Sequence, residues 1–103
     1  MSKGPVIYEV NLEVQPEIAA NFARWLDGHV KDMLTLPGFV GAKTYAVTET
    51  QHPTFCVHYQ LVDRAALEAY FQTDAERMRA DGQKRFGDAM KASRRILLTQ
   101  TPG

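Results

Sequence analysis

Apolar and polar residues alternate strictly over Val6-Ile7-Tyr8-Glu9-Val10-Asn11-Leu12-Glu13-Val14, with Val6, Tyr8, Val10, Leu12 and Val14 on one side. Period two over nine positions predicts a strand with one apolar face. Pro16 ends it and suits the first turn of a helix, where its missing N–H costs nothing. From Glu17 the period lengthens: Ile18, Phe22, Trp25, Leu26, His29 and Met33 recur at three- and four-residue spacing and predict a helix that Pro37-Gly38 stops. Phe39 to Glu49 reads as a second strand, Gln51-His52-Pro53 as a turn, and Thr54 to Val62 as a third strand. Asp63 is positioned to cap a helix from Arg64 onward. Thr73-Asp74-Ala75-Glu76 fits a capping box, so a further helical segment is expected from Asp74, carrying Met78 inward and ending at Gly82 or Gly87. Ser93 to Gln100 reads as the last strand.

The order β-α-β-β-α-β, with the second helix split, predicts an α+β, ferredoxin-like domain. Right-handed crossovers place its antiparallel strands in the order 4-1-3-2, with both helical layers on one face. The pleat then puts Ile7, Glu9, Asn11, Glu13, Cys56, His58, Gln60, Val62, Arg95, Leu97 and Thr99 on the other face. That surface is too polar for a dry core and too apolar in patches for an ordinary wet face. A second copy stacked on it satisfies both characters. Glu9 and Arg95 fall on adjacent strands of this face and are expected to pair across the sheet.

The 103 residues are expected to form one domain. Apolar residues make up 45% and charged residues 23%, which excludes a disordered tail and a coiled-coil rod. Twelve basic residues balance twelve acidic ones, so nucleic acid is not an expected partner. Cys56 is the single cysteine, which excludes an intrachain disulfide. No apolar run approaches membrane-spanning length, and Met1-Ser2-Lys3-Gly4-Pro5 lacks a secretion signal, so the expected location is the cytoplasm.

Tyr8-Glu9-Val10-Asn11-Leu12, Leu36-Pro37-Gly38-Phe39-Val40-Gly41-Ala42, and Tyr59-Gln60-Leu61 with Arg64-Ala65-Ala66-Leu67-Glu68-Ala69-Tyr70 together resemble the dimeric α/β-barrel superfamily, which includes antibiotic-biosynthesis-type monooxygenases. Arg77-Met78-Arg79-Ala80-Asp81-Gly82 and Ala92-Ser93-Arg94-Arg95-Ile96-Leu97 look more particularly like a small bacterial domain-of-unknown-function family within it. The resemblance implies a homodimer whose two sheets pack into a barrel, with ligand pockets between sheet and helices. It implies no reaction, because the architecture hosts many. Haem-degrading members share an Asn on the first strand, a Trp after the third and a His on the second helical layer. Asn11 matches the first, but the only Trp is Trp25, and no His follows Val62.

Candidate chemistry rests on few side chains. His58 and Asn11 are the candidates for a base and an orienting amide on the open face, and His29 is a candidate base on the helix face. Tyr8, Trp25, His29, Tyr59 and Arg95 are the candidate ligand-binding residues, the aromatic members as walls of a flat-ligand pocket. Cys56, His58 and Glu9 or Glu13 lie near one another but match no recognised metal spacing, so no metal and no other cofactor is expected. Arg77, Arg79, Lys84 and Arg85 read chiefly as a solvated helix face, with an anion site as the minor option. Ser93-Arg94-Arg95 offers arginines for a carboxylate or phosphate, although Glu9 is the favoured partner of Arg95.

The leading expectation is a small-ligand-binding or accessory homodimer. One alternative is a cofactor-independent oxygenase or isomerase of a small aromatic or carbonyl compound, so whether the chain is an enzyme stays open. The other is a structural or partner-binding dimer. An enzyme should show a closed cavity of a few hundred Å³ touching His58 and Asn11, or His29 and Tyr59.

Overall fold

The computed structural model describes residues 4–100; Met1 to Lys3, part of the segment expected to lack a secretion signal, lie outside the described residues. Strand β1 (Val6–Val14) leads through a 3₁₀ turn (Pro16–Ile18) into helix α1 (Ala19–Met33). Strands β2 (Phe39–Ala46) and β3 (Thr54–Leu61) form a hairpin, followed by helices α2 (Arg64–Thr73) and α3 (Ala75–Phe86) and strand β4 (Met90–Leu98). The sheet is antiparallel in the order β2-β3-β1-β4, the expected arrangement read from its other edge. This is a ferredoxin-like fold.

Alternation in β1 does what its pattern demands. Val6, Tyr8, Val10, Leu12 and Val14 enter a core with Val57, Tyr59 and Leu61 of β3, closed by Phe22, Leu26 and Met33 of α1, Leu67 and Tyr70 of α2, and Met78 of α3. The helices therefore cover one face only. Asp63 accepts from the Ala66 backbone N–H at 2.8 Å and caps α2. Among the described residues, no helix is long and apolar enough to cross a membrane.

Several boundaries differ from the sequence expectation, among them the end of β3 at Leu61 instead of Val62. β2 ends at Ala46 instead of Glu49, because Glu49 turns the chain at φ +61°. β4 begins at Met90 instead of Ser93, since the β1 ladder continues to the Val14–Met90 pair, and it stops at Leu98 instead of Gln100. The capping box does not form: Thr73 is the last residue of α2, its hydroxyl donates to the Ala69 carbonyl, and no side chain caps α3 at Asp74. Of the two expected ends of α3 the structure takes the later: the helix passes Gly82, runs to Phe86 and closes on Gly87 at φ +53°.

Two glycines are dictated by their surroundings. Gly38 adopts φ +85°, and a Cβ there would stand 2.5 Å from the Ala66 Cβ, so the α1–β2 turn passes tightly against α2. Gly82 faces the Trp25 ring, so α3 approaches α1 where any side chain would intrude.

Candidate functional site

The candidate residues divide between the two faces of the sheet. On the helix face, Tyr8 of β1 and Tyr59 of β3 are direct cross-strand partners with ring centroids 6.1 Å apart. Tyr70 of α2 tilts against Tyr8 at 5.8 Å. Trp25 and His29 are one helical turn apart on α1, and their rings stack at 4.5 Å and 20°. The Trp25 indole N–H donates to Asp81 at 2.9 Å, fastening this stack to α3.

Tyr8, Tyr59, Tyr70, Trp25 and His29 line an inner cavity of about 40 Å³, roughly the space one water occupies in the liquid. The closed cavity of a few hundred Å³ expected of an enzyme is thus absent here among the described residues. His29 and Met78 also line an open groove of about 640 Å³ between α1 and α3, which carries Asp32, Arg77 and Lys84. His29 therefore stands between groove and cavity. Burial lowers its pKa, and nearby Asp81 and Asp32 only partly oppose that, so the imidazole is neutral near pH 7. Burial raises the Tyr59 phenol, and pushes Tyr70 up to about 12, with Tyr8 adding to the effect and Arg79 and Arg94 opposing it. Both phenols stay protonated at neutral pH.

Arg79 of α3 and Arg94 of β4 also line this cavity. Arg79 donates to the Tyr8 hydroxyl at 3.0 Å and lies over the Phe71 ring, 5.9 Å from its centroid. Both arginines also line an outer groove of about 680 Å³ between α3 and β4. Sequence reasoning gave each only as part of a minor anion option and did not bring the two together. The signal available was the alternation of Arg94 with Ile96 and Leu98, which puts it on the helix face of β4.

On the open face, Glu9 is the hub. It is 5% exposed and pairs in register with His58 on β3 and Arg95 on β4. Its Oε1 accepts from Arg95 Nε at 2.6 Å and from Asn11 Nδ2 at 3.0 Å, while Oε2 lies 2.8 Å from His58 Nε2. The Arg95 hydrogen bond, aided by His58 and Asn11 against the opposing effect of burial, holds the Glu9 carboxyl down at about 2. Tyr45 packs edge-on against His58 at 5.2 Å. Asn11 and His58 do converge, but through the carboxylate between them. Arg95 is committed to Glu9 on this side, away from the Tyr8, Trp25, His29 and Tyr59 cluster.

Glu9, Cys56 and His58 offer ligand atoms within 4.8 Å of one another, the one set of metal-ligand type among the described residues. Burial and the adjacent Glu9 charge raise the Cys56 thiol, and Glu9 already uses both oxygens. The arrangement reads as a satisfied hydrogen-bond network; a metal ion there would have to displace the Glu9–His58 contact. A groove of about 520 Å³ touches Asn11, Glu13 and His52 but not His58.

The domain-of-unknown-function family DUF4286 matches residues 5–100. No curated protein matches the chain. Among solved structures, the chain is similar to SnoaB, a cofactor-independent oxygenase from Streptomyces nogalater, at 12% identity and TM-score 0.71, covering 96% of each chain. It is similar to a dimeric ferredoxin-like protein from an uncultured marine organism at 14% identity and TM-score 0.71, covering 95% of this chain and 98% of that one. A third likeness is an ethyl tert-butyl ether D family protein from Bacillus halodurans C-125, at 17% identity and TM-score 0.69, covering 92% and 99%. At these identities the likeness is one of fold.

Proposed function

The chain belongs to the DUF4286 family, and from that premise we propose that it is a homodimer that binds a small flat ligand between sheet and helices, as a binding or accessory protein. The observation that carries the reading is the ring-lined cavity with His29 at its boundary to the α1–α3 groove. Apolar walls with a few placed polar groups are the usual make-up of a small-molecule site. At about 40 Å³ the interior admits no such ligand as it stands. Entry requires the stacked Trp25–His29 pair to swing toward the groove, breaking the Trp25–Asp81 hydrogen bond.

Dimerisation through the open face is supported by its composition. Tyr45, Val47 and Val62 are 45%, 38% and 46% exposed on the side where Glu9 is buried. Stacking a second copy there removes this apolar surface from water while the Glu9 network stays hydrogen-bonded. Native mass spectrometry of the purified protein tests both parts: a dimer carrying a small-molecule adduct is expected. A monomer at micromolar concentration in sedimentation overturns the dimer, and an adduct-free protein that binds no member of a panel of aromatic compounds overturns the ligand site.

One observation favours a second reading, a cofactor-independent oxygenase or isomerase. A neutral imidazole at a cavity mouth can take a proton from a phenol or enol, the opening step of either reaction. Under this reading His29→Asn abolishes turnover of an enolisable aromatic substrate while retaining its binding; turnover that survives removes His29 from the role.

A further inference from the structure

Arg79 and Arg94 approach the same cavity from different elements, and neither forms an ion pair among the described residues, whereas Arg64, Arg77 and Arg95 each have a carboxylate partner. Glu76, which lines the same outer groove, pairs with neither. The Tyr8 hydroxyl already takes one Arg79 N–H, but a guanidinium carries five donors, so most of the Arg79 fork and all of Arg94 remain to be used. Tyr70, whose hydroxyl has only the weak Met33 sulfur as partner at 3.7 Å, adds another donor to this cavity. Aromatic walls, two cations and two phenols meet there, and no carboxylate lines the cavity.

Resting on the ligand-binding reading, we propose that the ligand is a planar aromatic anion, a carboxylate or an acidic enolate. Once the Trp25–His29 pair has swung toward the α1–α3 groove, the ligand's ring lies among Tyr8, Tyr59 and Trp25, and its charged oxygens are held by Arg79 and Arg94 on the α3–β4 side. A guanidinium fork suits two oxygens on one carbon, and a charge-assisted hydrogen bond outweighs a neutral one. The anion also relieves the placement of two like charges beside one pocket. The groove beyond the arginines leaves room for a substituent on the ligand's polar end.

The test compares 2-naphthoate with neutral 2-naphthamide by isothermal titration calorimetry. The acid is expected to bind at least about tenfold more tightly. Arg94→Gln, at an exposed strand position, should remove that preference, bringing the affinity for the acid down to that for the amide. Arg85→Gln, which removes the same charge elsewhere on α3, should leave the preference in place. Equal binding of acid and amide, or a preference that survives Arg94→Gln, overturns the anion assignment while leaving a ligand site standing. A preference lost equally in Arg85→Gln reduces it to general charge attraction and also overturns it. If neither probe binds, the assignment fails, and the ligand site is then judged by its own adduct measurement.

Discussion

A Cβ on Gly82 of α3 would stand 2.8 Å from Cη2 of Trp25 on α1. The ring cannot step aside freely, because His29 stacks on it, Phe22 and Phe86 pack against it, and Asp81 holds its indole nitrogen. Alanine is ordinarily better than glycine inside a helix by about 0.5–1 kcal/mol. Here Gly82→Ala is expected to destabilise instead, by about 1–3 kcal/mol, as an overpacked core does. Urea denaturation checks the sign; a stabilised variant would show that the two helices can separate at little cost.

Acid should expose the Glu9 network. Its pKa lies near 2 in the folded chain, below the value near 4.5 expected when unfolded. The unfolded chain therefore takes up the proton first, and the contribution of Glu9 is complete above pH 4.5 and lost as pH falls toward 2. Glu9→Gln should flatten the pH dependence of stability in that window. At pH 7 it should cost about 1–3 kcal/mol, since Arg95 and His58 lose their charged acceptor. A pH profile identical to wild type would separate the carboxylate from the fold's stability.

His29 acts in the same sense, over a higher pH range. Its folded pKa lies below the ordinary value of 6.5, so protonation favours the unfolded chain. Stability should decline as pH drops through 6.5 and keep declining until the folded pKa is passed. His29→Gln should remove that part of the slope, leaving the acid loss from Glu9. Proton NMR titration of the imidazole gives the midpoint directly; one at or above 6.5 would contradict the burial argument.

Gly38→Ala should be among the costliest single changes. It combines a left-handed backbone with a Cβ placed 2.5 Å from that of Ala66. Losses above about 1–3 kcal/mol are expected from the strain alone. The paired change Gly38→Ala with Ala66→Gly should recover the steric part and not the backbone part, which a double-mutant cycle in thermal denaturation measures.

Periodicity carries the fold of this chain. The alternation of β1 and the stripe from Phe22 to Met33 are strong because one face of each element is buried, and the Glu9–Arg95 pairing followed from strand order and pleat alone. The elements' ends were less legible. Thr73 and Glu76 have the spacing of a capping box, yet the α2 helix claims Thr73 as its last residue, and a four-residue motif cannot show which helix owns it. The helical spacing of Trp25 and His29 made their stacking legible, since residues four apart share a face. Arg79 and Arg94 were not paired with each other, because a cation on an amphipathic element reads as solvated until the packing brings two of them to one cavity. Glu9 escaped as a hub because no short-range pattern announces a carboxylate serving three strands' worth of partners.

That carboxylate has a bearing on how the chain chooses its pairing. Asn11 sits two residues along the same strand, while His58 and Arg95 approach from either flank, and all three meet on two oxygen atoms. Slippage of β3 or β4 by a single step would send its partner side chain to the wrong side and strand a buried negative charge. Glu9 thus works as a key cut for one alignment, rejecting mispaired sheets that the oily residues alone would tolerate.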